Sequence, residues 1–288
     1  MFFLLQYLLP KHLISRMVGV ATRVRVVWFK NLLIRAFVRG FQPDMRDAIE
    51  PSPLAYGSFN EFFTRALRAD ARPLAAPSPG ADRPIISPVD GTISELGQID
   101  DERILQAKGY NYTLTDLLAN QPSWAKHFRG GHFVTIYLAP YNYHRIHLPL
   151  AGQLAESYYV PGDLFSVNRQ TANDVPKLFA RNERIICYLR QEDLLFALIL
   201  VGALNVGSMD TIWHGNVAPA RQRLVSMLSN TELLAPRSLP AGAEMGRFNM
   251  GSTVILLMPP GTTHWRADLA AGRTLHMGEA IGELLHRP

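Results

Sequence analysis

The chain has 288 residues, 48% hydrophobic and 18% charged, and a single cysteine, Cys187. That composition excludes a disordered chain, an intrachain disulfide framework and a zinc site built on several thiolates, and it suits a reducing compartment. The net charge of +5 is uneven: Lys11, Arg16, Arg23, Arg25, Lys30, Arg35 and Arg39 all precede the first acid, Asp44, so the remainder is slightly acidic and a general affinity for nucleic acid is not expected.

The segment Met1 to Leu9 is apolar but ends at Pro10, well short of the roughly 20 residues of a membrane span, and has no positive flank of the kind a signal peptide carries. From Leu13 to Val38 the apolar residues Leu13, Met17, Val20, Val24, Val27 and Trp28 recur at helical spacing, with Arg16, Arg23 and Lys30 on another face. This predicts a helix lying in a membrane interface, its cations facing anionic headgroups; the alternative is a helix packed on the core with a solvated basic face. Gly19 and the run Val24 to Val27 predict a break into two helices. Pro43 to Pro53 is a linker, Ser58 and Glu61 form a capping box ahead of Phe62 and Phe63, and Pro73 to Pro84 is a second linker. The expected division is therefore 1–43 for membrane-binding helices, 44–84 for a short helix and linkers, and 85–288 for a β-rich body.

Within that body, Ile85 to Ile93 predicts two short strands about an Asp90-Gly91 turn. Thr113 and Asp116 open a short helix reaching Leu118, and Ser123 to Phe128 forms a further turn. His132 to Leu138 is a strand pattern ending before Pro140. The aromatic stretch Tyr141 to Pro149 holds His144 and His147; on a helix that spacing would suit a metal pair, but Pro149 favours a loop and no acidic third ligand is near, so general acid–base work fits better. Gly152 to Val160 and Ile185 to Arg190 predict strands, and Leu194 to Val201 with Ala203 to Ile212 predicts a hairpin across Gly202. Pro161 to Asn168 reads as a loop able to close on a ligand or as an ordinary surface loop with a buried Phe165. Val217 to Leu239 has no clear pattern, and Thr274 to Gly282 predicts a last strand and turn.

The stretch Gly246 to Met258 carries the most specific chemistry. Its apolar run from Val254 predicts a strand covered on both faces, with Gly251 at the entrance and the Ser252 hydroxyl beside the preceding carbonyl. With a base to take its proton, that hydroxyl can attack the Gly251 carbonyl and turn the peptide into an ester. Elimination then breaks the chain and leaves a dehydroalanine that hydrolyses to a pyruvoyl group. A Gly-Ser-Thr tripeptide alone is usually a plain turn or strand entry.

Taken together, Ser87-Pro-Val-Asp-Gly91, Tyr143-His-Arg-Ile-His-Leu-Pro149, Pro161-Gly-Asp-Leu-Phe-Ser-Val-Asn168 and Gly242-Ala-Glu-Met-Gly-Arg-Phe-Asn-Met-Gly-Ser-Thr253 resemble the phosphatidylserine decarboxylases of the proteobacterial type, over nearly the whole chain. Phe59-Asn-Glu-Phe-Phe63, Leu105 to Tyr112 and Leu178 to Arg184 support the likeness. The resemblance implies self-cleavage between Gly251 and Ser252, giving a large chain 1–251 and a small chain 252–288 that stay together as a heterodimer and dimerise further. It implies that Asp90, His147 and Ser252 form a self-processing triad, with His147 as base and Asp90 orienting it, and that His144 serves decarboxylation as the candidate acid. Met250 departs from the family's commoner leucine. The covalent pyruvoyl on Ser252 would react as a Schiff base with phosphatidylserine, releasing CO2 and phosphatidylethanolamine as the last step of that lipid's synthesis, without pyridoxal phosphate or metal. Phe165, Ser166 and Asn168 are candidate substrate contacts. The expected site of action is the cytoplasmic face of the cell membrane, bound peripherally, and the expected fold is α+β, with amphipathic helices on a mainly antiparallel, barrel-like body. Two alternatives are a serine hydrolase, although no Gly-x-Ser-x-Gly elbow surrounds Ser252, and a membrane-bound adaptor without activity.

Overall fold

The computed structural model describes residues 10–77, 83–107, 110–204, 208–217, 224–228 and 232–285. The segment 1–9, the Lys108-Gly109 pair and parts of the unassigned 217–239 stretch lie outside the described residues. Helix α1 spans Lys11–Arg23 and α2 spans Val27–Phe41. The break falls at the β-branched run, where Val24 and Val26 are extended because a second substituent on Cβ crowds the helical turn. Along α1 the buried residues are Lys11, Ser15, Gly19 and Thr22, whereas Leu13, Met17 and Val20 face outward, each more than half exposed. The short α3, Phe59–Phe63, begins at Ser58, whose Oγ accepts from Glu61 N at 3.1 Å. Its phenylalanines pack with Ile34 and Phe37 of α2 into a small core of their own.

Four more short helices are α4 Leu114–Leu117, α5 Pro122–Phe128, α6 Arg169–Asp174 and α7 Leu178–Arg181. The strands in chain order begin with β1 Pro84–Ile86, β2 Gly91–Gln98, β3 Arg103–Ala107, β4 Tyr110–Thr113, β5 His132–Leu138 and β6 Arg145–His147. Then come β7 Gly152–Val160, β8 Arg184–Gln191, β9 Leu194–Val201, β10 Met209–Thr211, β11 Gly215–Asn216 and β12 Ser226–Met227. The last are β13 Ser238–Leu239, β14 Glu244–Phe248, β15 Ser252–Met258, β16 Thr263–Trp265, β17 Thr274–Leu275 and β18 Ala280–Leu284.

The main sheet runs β12-β7-β8-β9-β15-β5-β2-β17, with β13 also on β7, and its pairs are antiparallel. It does not close into a barrel among the described residues. Strand β15 lies between β9 and β5 with every residue buried, which is what its unbroken apolar run requires. A second sheet, β11-β10-β14-β6, carries the histidine strand, and a third is β1-β18-β16. Two local expectations change. Strand β9 pairs with β8 and β15, not with Met209–Thr211, which joins the second sheet through β14. Strands β1 and β2 belong to different sheets, so Asp90 sits on a crossing between layers and not on a hairpin tip.

Candidate active site

Ser252 opens β15, paired with Leu138 of β5. It is fully buried, and its Oγ has no hydrogen-bond partner among the described residues. A buried hydroxyl left unpaired costs about 1–3 kcal/mol, so its retention at the end of a central strand calls for a use outside folding. Gly251 precedes it, and a β-carbon at that position would stand 3.5 Å from Leu138 O and 3.9 Å from His144 Cε1. One imidazole therefore borders the Gly251-Ser252 peptide.

That imidazole is fixed by its surroundings. His144 is fully buried and stacks on Phe63 of α3 with centroids 4.1 Å apart. Its Nε2 faces the carbonyls of Ala139 at 3.1 Å and Pro140 at 3.3 Å, which places the proton on Nε2 and leaves Nδ1, unpartnered, as a lone pair. Burial, with the neighbouring Arg65 guanidinium, pushes its pKa down to about 3. At rest His144 is therefore a neutral imidazole. Arg65 is itself buried, donates from Nη2 to Tyr141 O at 3.1 Å, and has no partner at Nε or Nη1 among the described residues.

His147 lies on β6, which pairs with β14, so the histidine strand runs beside the segment leading to Ser252. Its Nδ1 donates to Gly242 O at 2.7 Å, and its Nε2 accepts from the Tyr143 hydroxyl at 2.9 Å. Burial holds it neutral as well, shifting its pKa downward. Asp90 is gripped elsewhere: Arg72 Nε and Nη2 donate to its two oxygens at 3.0 and 2.6 Å, and Met277 N donates at 2.8 Å. Arg72 also holds Asp47 at 2.8 Å, and these two carboxylates raise its pKa. Among the described residues no hydrogen bond joins Asp90, His147 and Ser252 to one another; Asp90 reaches both histidines through its charge alone.

Two cavities flank the site. One of about 250 Å³ is lined by Phe37 and Phe41 of α2, Phe63, Tyr137, Ser166, Met250 and Gly251, an apolar mouth with few polar groups. The other, of about 710 Å³, is lined by several charged side chains and reaches Asp90, Arg72, Arg65 and Tyr143. Of the expected substrate contacts, Ser166 lines the first cavity. Asn168 instead caps α6, its Oδ1 accepting from Thr171 N at 2.9 Å, and Phe165 is buried with Lys11 Nζ 3.5 Å from its ring centroid. Sequence reasoning passes over Arg72 and Arg65, reads Phe63 only as part of a short helix and of a supporting motif, and gives Tyr143 no role although it stands in the histidine motif. No cluster of three His, Cys, Asp or Glu able to hold a metal occurs among the described residues.

The family model described as phosphatidylserine decarboxylase matches residues 59–283, and a model described as PSD matches residues 1–42. Over 98% of its length the chain is 49% identical to the phosphatidylserine decarboxylase proenzyme of Pseudomonas fluorescens, covering 96% of that relative. It is 50% identical to the protein of the same name from Azotobacter vinelandii, over 98% of both, and 48% identical to that of Ectopseudomonas mendocina, over 98% of this chain and 97% of the relative.

Proposed function

The chain belongs to the phosphatidylserine decarboxylase family, and from that premise we propose a division of labour among the residues around Ser252. The protein is a pyruvoyl-dependent decarboxylase, made as a proenzyme, that converts phosphatidylserine to phosphatidylethanolamine. The observation that carries the assignment is the buried, unpartnered Ser252 hydroxyl behind Gly251, with the His144 ring alongside. A hydroxyl with no hydrogen bond among the described residues fits a residue consumed in making a prosthetic group.

In maturation the Ser252 Oγ adds to the Gly251 carbonyl carbon and gives up its proton, the Gly251–Ser252 C–N bond breaks, and the amine of residue 252 is freed as the ester forms. His147 is the proposed proton acceptor. Its Nδ1–H is held by Gly242 O, so Nε2 is the basic atom, and it must exchange Tyr143 for Ser252 to act. Removal of the Cα proton of residue 252 expels the Gly251 carboxylate, and water replaces the enamine nitrogen, releasing ammonia. Asp90, held by Arg72 and Met277, steadies a charged His147 through its field.

In turnover the pyruvoyl group supplies the electrophile for the substrate amine and the sink for the electron pair left by CO2. A serine headgroup arrives as an ammonium and must lose a proton before it can attack. His144, whose ring borders Gly251 and whose Nδ1 has no partner among the described residues, is the proposed carrier of the proton returned to the carbon that has lost CO2. Burial beneath Phe63 keeps water from competing.

No helix among the described residues is long and apolar enough to cross a membrane. The outward Leu13, Met17, Val20, Trp28 and Leu32 beside exposed arginines support peripheral docking on the cytoplasmic face of the cell membrane by residues 1–43. The cavity mouth lies on α2, which also carries Trp28 and Leu32, at Phe37 and Phe41, so a diacyl substrate can reach it from the lipid surface. Residues 44–84 link this arm to the body 85–288 and lend it Phe63. The large and small chains remain together because β15 is bound on both edges by strands of the large chain. Comparing Ser252→Ala, His147→Ala and His144→Ala on a denaturing gel, and by CO2 released from labelled phosphatidylserine, tests the division. The first two should stay whole; the third should be cut yet release little CO2. An uncut His144→Ala would end it.

A further inference from the structure

We propose that Asn249 is a positioning residue for self-cleavage, and that its side chain ties the scissile turn to helices α1 and α3. The inference rests on the self-cleavage reading above. Strand β14 ends at Phe248 and β15 begins at Ser252, so residues 249–251 lie between two ladders. The scissile carbonyl of Gly251 belongs to that interval, and a glycine contributes no side chain to fix it.

Asn249 fixes the start of the interval. It is 1% exposed, and both ends of its amide are used. Nδ2 donates to Ser208 Oγ at 2.6 Å and to Asp210 Oδ1 at 2.9 Å, while Oδ1 accepts from Asn60 Nδ2 at 3.1 Å. Its backbone N–H donates to Ser208 O at 3.0 Å. Two of these partners lead elsewhere. Ser208 Oγ also accepts from Arg23 Nη2, at 2.6 Å, and Arg23 is the last residue of α1. Asn60 belongs to α3, whose Phe63 stacks on His144. One buried amide therefore joins the outward-facing helix, the helix that braces the active-site histidine, and the turn that must present the Gly251 carbonyl to Ser252 Oγ. Attack within a chain depends on such placement, and an error of about 1 Å costs on the order of 10²-fold in rate.

Once the chain is cut, Gly251 becomes a free end, and the group on residue 252 is held by β15. The constraint at Asn249 then no longer bears on the scissile carbonyl, and Phe63 is kept on His144 by its own packing with Ile34 and Phe37. The signature is slow maturation with ordinary turnover, which a general loosening of the fold would not produce.

The test follows the full-length chain through self-cleavage by intact-mass spectrometry and measures CO2 release per mole of small chain formed. Asn249→Ala should slow cleavage by about 10- to 100-fold, and Ser208→Ala, which leaves the scissile segment untouched, by roughly 3- to 10-fold. Arg23→Ala should slow it less and add nothing to Ser208→Ala. Turnover per small chain should stay within about twofold of wild type. Wild-type cleavage rates in Ser208→Ala and Asn249→Ala, or equal losses of cleavage and turnover, would overturn the proposal. A wild-type chain that never cuts would instead remove the self-cleavage reading, and this inference with it.

Discussion

Strand β15 and helix α1 obey opposite rules of burial. In β15 all seven residues from Ser252 to Met258 are hidden, five of them apolar, and the polar pair at its start, Ser252 and Thr253, has no partner for either hydroxyl among the described residues. In α1 the hidden residues are lysine, serine, glycine and threonine, while Leu13, Met17 and Val20 face out. The first pattern places reactive groups where water is excluded. The second leaves an apolar face that only another apolar phase can cover. The contrast separates chemistry from delivery, and each side can be broken without the other.

The largest effect is expected on the buried side. His144→Ala should leave the cut intact and lower decarboxylation by about 10²- to 10⁴-fold, the usual worth of a positioned proton carrier, read as CO2 release per small chain. Arg72→Ala comes next. It strands the Asp90 carboxylate, whose side chain is 7% exposed, and should cost about 3–5 kcal/mol, seen as a lower thermal midpoint together with slower self-cleavage. On the exposed side, Val20→Glu with Trp28→Glu should weaken sedimentation with anionic vesicles by roughly tenfold, since each charge cancels apolar burial in the interface. Turnover of a short-chain, water-dispersed substrate should hardly change, and a matching loss there would erase the distinction between the two regions.

The smallest effect concerns pH. Burial pushes the Glu183 carboxyl up to about 7. A carboxyl raised in the fold favours the native state while protonated, so its contribution is complete below the unfolded value and is lost as pH rises through 7. Compared with Glu183→Gln, the wild-type thermal midpoint should therefore fall progressively from pH 5 to pH 8, by a few degrees at roughly 2–4 °C per kcal/mol.

What was legible in the sequence was local. The strands His132–Leu138 and Gly152–Val160 stand where apolar patterning and bordering glycines or prolines put them, and α1 breaks from α2 at the valine run. The capping serine of α3 and the threonine cap of α4 were equally plain. Pairing was not, because it is decided by distant partners: Met209–Thr211 reads as the return of a hairpin, yet β15 takes that edge of β9. The site shows the same limit. Motifs singled out Asp90, His144, His147 and Ser252 but not which hydrogen bonds each ring makes. The free lone pair of His144 is set by the carbonyls of Ala139 and Pro140, and Arg72, in an unpatterned Arg/Ala/Asp stretch, finds Asp90 only through the fold. Helical spacing over 13–38 leaves a membrane-facing helix and a core-packed one both open, and α2 has features of each: Trp28 and Leu32 are exposed, while Phe37 belongs to a small core and to the cavity wall.

The central claim is that Ser252 is used up in making the prosthetic group. Intact-mass spectrometry of the purified wild-type chain tests it most directly. Two species are predicted, 1–251 and 252–288, the smaller without a free amino terminus and absent from Ser252→Ala. A single mass for all 288 residues of the wild-type chain would contradict it.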